Sequence, residues 1–299
     1  MRRIPLLLVL LVALAGCGDE GDRVGSTIAL DFTPNAVHAG IYGAGMAVRV
    51  PSSSTDSLKL LAGGRTDLAV VDIHDLGLAR ERGADIVGVG ALVQRPLAAV
   101  IARPDIHRPR DLEGKRVGVT GLPSDDAVLR AVVEHDGGDY SRVKRTTIGF
   151  SAVPSLIAGK VDAVVAFWNA EGVALRQRGV RTREFRVDDY GAPRYPELVI
   201  ATKGSTLRHD PQRVRDALSH LRHGTVVALS KRQATIDGLV KASDADEGLV
   251  RAQLDAVAPA LVPPLVLDRA ALRGWARFDA RFGILKAPPD IEKAFPPLG

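Results

Sequence analysis

The sequence predicts an α/β protein. Three observations carry this: short, continuously apolar β-rich runs; helical patterns between them; and a strandless helical stretch after about residue 208. Strands covered on both faces read as unbroken apolar runs, and parallel neighbours need a crossover long enough to hold a helix.

In chain order the predicted strands are 28–32, 68–72, 87–92, 98–102, 116–120, 162–167 and 198–202. Helices are expected between them near 54–63, 74–82, 124–136, 151–159 and 170–178. Asp210-Pro211 then opens a helix, with Asp as N-cap and Pro at the first helical position, and Val214, Leu218 and Leu221 follow at helical spacing. Two further helices are expected over 247–257 and 268–282. The second carries Leu272, Trp275 and Phe278 as an apolar stripe that reads as packing.

The N-terminus is an address. Arg2 and Arg3 precede an apolar run, Ile4–Ala13, too short to span a bilayer, and Leu14-Ala15-Gly16-Cys17 closes it on the chain's single cysteine. This pattern resembles a lipobox, whose cysteine takes a diacylglycerol and becomes the new N-terminus. Residues 1–16 are therefore expected to be a lipoprotein signal peptide, 17–25 a lipidated acidic tether, and the folded part to begin near Ser26. The expected location is the extracytoplasmic face of the cell membrane, held there through lipid on Cys17.

Losing Arg2 and Arg3 takes the formal charge from +5 to about +3, with basic residues scattered among acids. No basic stripe interleaved with aromatics is present, which argues against nucleic acid as a partner. With Cys17 lipidated, no cysteine remains for a disulfide or a nucleophile. No second segment approaches the length of a membrane span, so the remainder is expected to be soluble; the protein is expected to be a monomer.

Five segments then appear in order: Leu30-Asp-Phe-Thr-Pro-Asn-Ala-Val-His-Ala-Gly-Ile-Tyr42, Gly64-Arg-Thr-Asp67, Gly121-Leu-Pro-Ser-Asp-Asp-Ala127, Gly159-Lys-Val-Asp162 and Trp168-Asn-Ala-Glu-Gly172. Through them the chain resembles the solute-binding proteins of ABC importers, in the branch similar to thiamine-pyrimidine-precursor binding proteins and pyrimidine synthase. The resemblance implies a two-lobed clamshell of the periplasmic-binding-protein type II class, each lobe a mixed, mostly parallel sheet with helices on both faces. Lobe 1 would take 26–110 and 193–299 and lobe 2 would take 111–192, with crossings near 103–109 and 191–196. It also implies an ABC permease and its ATPase as partners, a small aromatic heterocycle as ligand, and no cofactor, metal or catalytic residue.

Ligands of doubly wound sheets collect at the carboxyl ends of strands, where helix N-termini offer free N–H groups. With aromatic content only 4%, the rings near those ends stand out: Phe32, Tyr42, Phe150, Trp168 and Tyr195 are candidate walls for a heterocycle. Asp72 and Glu171 are candidate acceptors for a ring amine, and Asn35, His38 and Ser124 complete the polar set. Each has a structural reading beside it. Phe32 and Phe150 suit a core, Asp72 and Ser124 suit helix caps, Glu171 suits a helix N-terminus, and His38 suits a satisfied core histidine.

Met46 runs almost directly into Ala47–Val50, where relatives carry roughly ten more residues, so a more open cleft mouth is expected. Two other cargoes fit the same receptor type, riboflavin and an alkanesulfonate; the latter wants a cleft arginine, for which Arg103 is the candidate. The rival of another class is a pyrimidine synthase-like enzyme. Against it, 189–202 lacks the cysteine-rich motif of that enzyme, and no His/Glu/Asp cluster stands at metal spacing.

Overall fold

A computed structural model describes residues 25–51 and 56–298, so the signal, Cys17 and most of the tether lie outside the described residues. The chain folds as β1 (Thr27–Ala29), α1 (Ala39–Gly43), β2 (Ala47–Arg49), α2 (Asp56–Ala62), β3 (Leu68–Asp72), α3 (Ile73–Glu81), β4 (Ile86–Ala91) and β5 (Ala98–Ala102). There follow β6 (Arg116–Val119), α4 (Pro123–His135), β7 (Lys144–Thr147), α5 (Ala152–Ile157), β8 (Ala163–Phe167), α6 (Val173–Gln177), β9 (Arg183–Arg186) and β10 (Leu198–Lys203). Helices alone complete it: α7 (Gly204–His209), α8 (Pro211–Ser230), α9 (Arg232–Ser243), α10 (Glu247–Val257), α11 (Arg269–Arg281) and α12 (Ile291–Ala294). No described helix is long and apolar enough to cross a membrane.

The strands form two five-stranded sheets, ordered β2-β1-β3-β10-β4 and β7-β6-β8-β5-β9. In each sheet four strands run one way and one is reversed: β10 is antiparallel to β3 and β4, and β5 is antiparallel to β8 and β9. The reversed strands are the two that begin just after the chain changes sheet. Every residue of β4 and β5, and all but the last of β3 and β10, is buried, as strands covered on both faces must be.

The sheet pairing moves one boundary expected from the sequence. Ala98–Ala102 pairs with Ala163–Phe167 and Arg183–Arg186, so β5 belongs to the second lobe and the first crossing lies between Ala91 and Ala98, not at 103–109. The prolines near 104–109 serve a turn within the second lobe, where Pro109 opens a short 3₁₀ turn, Pro109–Leu112. The second crossing falls between Arg186 and Leu198.

Asp210 caps α8 as read, accepting from the Arg213 N–H at 3.1 Å. Helix α8 carries the lobe 1 surface against which α1 packs backbone to backbone. A Cβ on Gly224 would stand 2.3 Å from the Gly40 carbonyl oxygen, and one on Gly43 would stand 2.4 Å from the Gly224 oxygen. Only glycine permits this crossing. It fixes α1, and with α1 the loop at 31–38 that reaches the gap between the lobes.

Candidate functional site

Between the two sheets lies a cavity of about 120 Å³, of the order that holds a single small aromatic ring. Its wall comes from loops at strand ends in both lobes: Asp31 to Val37 and Asp72 to Asp75 on one side, Thr120 to Val128, Gly149 to Ala152 and Val165 to Glu171 on the other. Ala98, Glu197 and Leu198, at the two crossings, form its back.

Six of the ten candidate ligand residues line it: Phe32, Asn35, Asp72, Ser124, Phe150 and Glu171. Phe32 and Phe150 come from opposite lobes and meet directly, ring centroids 5.3 Å apart and planes tilted by 46°. Phe150 is 53% exposed, so the pair stands at the rim. Asn35 caps the turn Ala36–His38 by accepting from the Val37 N–H at 3.0 Å. Asp72 caps α3 in the same way, accepting from His74 N–H at 2.8 Å, so the cap reading and the cavity reading both describe it. Glu171 accepts the Phe167 N–H at 3.0 Å from within a π-helical turn, Trp168–Gly172. Ser124 lines the cavity but is not the N-cap of its helix, which is Leu122; Asp125, in the first turn, reaches back to accept from Thr120 Oγ1 at 2.5 Å, Gly121 N–H at 3.0 Å and Leu122 N–H at 3.2 Å.

Four candidates are not brought to the cavity. His38 is fully buried, with Nε2 2.8 Å from Asp31 Oδ1, and braces that aspartate from behind. Tyr42 is half-buried against the lobe 1 core. Trp168 is packed away at 3% exposure: its indole N–H donates to the Pro96 carbonyl at 3.0 Å, and the Arg186 guanidinium lies 4.2 Å from its ring. It fastens the first crossing, and the neighbouring Asn169 faces the cavity in its place. Tyr195 is fully buried, its hydroxyl 3.2 Å from His74 Nε2, and burial, with Glu197 adding, pushes its phenol well up. Arg103 is half exposed beside Asp105, outside the cavity.

The residues that sequence reasoning missed are mostly acids. Asp31, Asp75, Asp125 and Glu197 line the cavity, as does Asn169, 1% exposed with its amide oxygen unpaired. Asp31 and Asp125 lie inside the quoted segments and Asp75 comes three residues after the predicted strand 68–72, signals that were available; Glu197 gave none. Its Oε2 accepts the Leu97 and Ala98 N–H groups at 2.9 and 3.2 Å, joining the two crossings. Burial raises the carboxyl groups of Asp75, Asp125 and Glu171 above the usual range. Asp72 rises well above it, through burial first and then through Glu197 and Asp75, against the pull of His74.

Behind the cavity, folding assembles a cluster that residue spacing hides. Asp72, His74 and Glu197 offer donor atoms all within 4.8 Å of one another, a set able to hold a metal ion. They are also mutually satisfied: His74 Nδ1 stands 2.7 Å from Asp279 Oδ1, and Nε2 has Tyr195 Oη at 3.2 Å and Glu197 at 3.6 Å. Burial works against a charged His74, but the carboxylates of Asp279 and Asp72 outweigh it and hold the imidazole well above its ordinary value. The arrangement is that of a buried ion-pair network bracing the crossings.

A family model described as NMT1/THI5 like matches residues 42–234. The chain is similar to a formylaminopyrimidine-binding protein of Halalkalibacterium halodurans, 34% identical over 217 residues that span 66% of each chain. It is also similar to a 4-amino-5-hydroxymethyl-2-methylpyrimidine phosphate synthase of Saccharomyces cerevisiae, 22% identical over 68% of this chain and 67% of that one. Among solved structures it resembles the periplasmic aliphatic sulphonate binding protein of Escherichia coli, with a TM-score of 0.74 at 16% identity over 90% and 91% of the two chains. That likeness shows the fold, a two-lobed periplasmic-binding-protein clamshell.

Proposed function

Because the chain belongs to the NMT1/THI5-like family, we propose that it is an extracytoplasmic solute-binding component of an ABC importer that captures a thiamine-type pyrimidine precursor by cleft closure. The observation that carries this is the cavity between the lobes, with an apolar floor, acceptor groups around it and an aromatic pair, Phe32 and Phe150, closing its rim. An aminopyrimidine needs flat apolar contact for its ring and acceptors for its exocyclic amine, and both are at hand. The relative named for formylaminopyrimidine binding supports the same cargo.

The site is a poor one for a sulfonate. An anion would use N–H groups near helix starts, yet Asn35 and Asp72 each accept one such N–H, from Val37 and His74, and Asp125 takes those of Gly121 and Leu122 just ahead of α4. No arginine, lysine or histidine lines the cavity among the described residues.

On this reading the protein is not an enzyme and its work is capture, closure and delivery, with both lobe tips docking on a permease served by its ATPase. The export signal and Cys17 would hold it as a lipid-anchored monomer outside the membrane. The test is calorimetric titration with formylaminopyrimidine and with 4-amino-5-hydroxymethyl-2-methylpyrimidine. Dissociation constants near or below about 1 μM, weakened in Glu171→Gln, are expected. Turnover to a pyrimidine phosphate in the presence of iron and pyridoxal phosphate would overturn the receptor reading in favour of the enzyme.

A further inference from the structure

The end of lobe 2 farthest from the cavity is basic. Strands β6, β7, β8 and β9 begin there and the reversed β5 ends there, so the register brings Lys144, Arg116, Asp162, Arg103 and Arg183 into one row across the sheet end. The loops that join these ends, 103–116, 136–144, 158–162 and 178–183, hold eleven arginines and lysines against six acids. That net +5 equals the formal charge of the whole chain, gathered at one end by folding although the same residues are scattered among acids along the sequence.

The acids of this end are already engaged. Asp105 pairs with Arg103 at 3.8 Å, Glu113 with Arg142 at 2.7 Å, Asp136 with Arg108 and Arg110 at 3.0 and 3.3 Å, and Asp162 with Arg116 at 3.0 Å. Asp111 accepts the His107 and Arg108 N–H groups, and Asp139 accepts from Ser141. Lys115, Lys144, Lys160, Arg178, Arg181 and Arg183 have no ion pair among the described residues, and all but Lys115 are exposed. At one end of the row a recess lined by Pro104, Gly179, Arg176, Arg181 and Arg183 offers guanidinium donors suited to a phosphate.

The point where the tether enters is a second observation. Strand β1 runs from Thr27 toward the cavity residue Asp31, so the tether joins lobe 1 at that lobe's own far end. Residues 17–25 reach no more than about 30 Å. A receptor lipidated at Cys17 therefore has the far end of lobe 1 held within that distance of a membrane, with the basic end of lobe 2 at the opposite extreme.

We propose that the far end of lobe 2 docks on anionic phospholipid headgroups, so that the receptor is held at both ends and lies along the membrane instead of standing off it on its tether. A row of cations over five strand ends about 4.8 Å apart spans roughly 20 Å and matches a surface of phosphates. This rests on the lipid-anchored reading above for bringing the protein to a membrane.

The test is co-sedimentation of the mature chain from Gly18, which keeps every described residue and carries no lipid, with vesicles of phosphatidylcholine alone or with about 30% phosphatidylglycerol. Binding to the anionic vesicles only, lost by about 0.5 M salt, is expected. The combination Lys144→Glu, Lys160→Glu and Arg181→Glu, at exposed side chains without ion pairs, is expected to weaken it at least about tenfold. Arg222→Glu, Lys241→Glu and Arg273→Glu make the same charge change on α8, α9 and α11 and are expected to leave it within about threefold. Melting temperatures of both variants keep loss of binding separate from loss of fold. No binding to either vesicle, equal binding to both, or equal loss in the two variants overturns the proposal. Release by millimolar inorganic phosphate at constant ionic strength overturns it too, and assigns the arginines to a free anion. The pyrimidine titration above is made in solution and decides the receptor reading by itself, so either reading can fail alone.

Discussion

Replacing Glu197 with alanine should uncouple the two crossings. The side chain is 2% exposed and its Oε2 holds two buried backbone N–H groups, those of Leu97 and Ala98, at 2.9 and 3.2 Å. A hydrogen bond to a charged acceptor contributes about 1.5–3 kcal/mol, and both donors would be orphaned inside the protein. The expected loss is therefore on the order of 3–5 kcal/mol, or roughly 6–15 °C in melting temperature for a chain of this size. Glu197→Gln keeps an acceptor oxygen in place and should lose no more than about 2 kcal/mol. Urea unfolding followed by far-UV circular dichroism, with thermal melts beside it, reads the difference. An alanine variant within about 1 kcal/mol of the parent, or a glutamine variant as damaged as the alanine one, refutes the role given to this carboxylate.

Other outcomes follow from the same geometry. Trp168→Phe removes the donor to Pro96 and should cost about 1–3 kcal/mol of stability in urea titration, with ligand affinity changing little because the ring is outside the cavity. Phe150→Ala should change stability by less than about 1.5 kcal/mol, since the residue is exposed, yet raise the ligand dissociation rate in stopped-flow measurements by opening the rim. Gly224→Ala should cost about 1–3 kcal/mol in thermal melts, because its Cβ would fall 2.3 Å from the Gly40 oxygen. His74 binds its proton more tightly folded than unfolded, so its stabilising contribution is full below about pH 6.5 and is lost as pH rises through the raised folded value. The gap in melting temperature between the parent and His74→Gln should therefore narrow from about pH 6 toward alkaline pH, and a gap that widens would contradict the buried pairing.

The central strands are legible because burial on both faces leaves an unbroken apolar run, as in Leu68–Val71 and Ala98–Ala102. The three strands that escape, β2, β7 and β9, lie at sheet edges, where Ala47-Val-Arg49, Lys144-Arg-Thr-Thr147 and Arg183-Glu-Phe-Arg186 carry charge and leave most of their residues at least partly exposed. Helix α9 also escapes, because its apolar positions are diluted by Gly238 and its start has no capping side chain. Within the site, the strand-end rule finds Phe32, Asn35, Asp72 and Glu171. It cannot say which way a side chain turns: Trp168 points back into the crossing while Asn169 faces the cavity. Glu197 is invisible for another reason, since its partners lie 99 and 100 residues away along the chain.

The reversed strands divide the polypeptide in an uneven way. All five strands of the second sheet fall within 98–186, one uninterrupted piece, and its ends are side by side because Ala99 stands opposite Arg186. In the first sheet Ala91 stands opposite Val199, so the strands that leave for this piece and return from it are themselves a hairpin pair. The second lobe is thus an insertion into the mouth of a hairpin. A two-residue turn bridging Ala91 and Val199 in its place would leave the first sheet's strand order intact. This connectivity would let one jaw be exchanged as a cassette while the other is kept, with cargo choice shared between two separately replaceable parts.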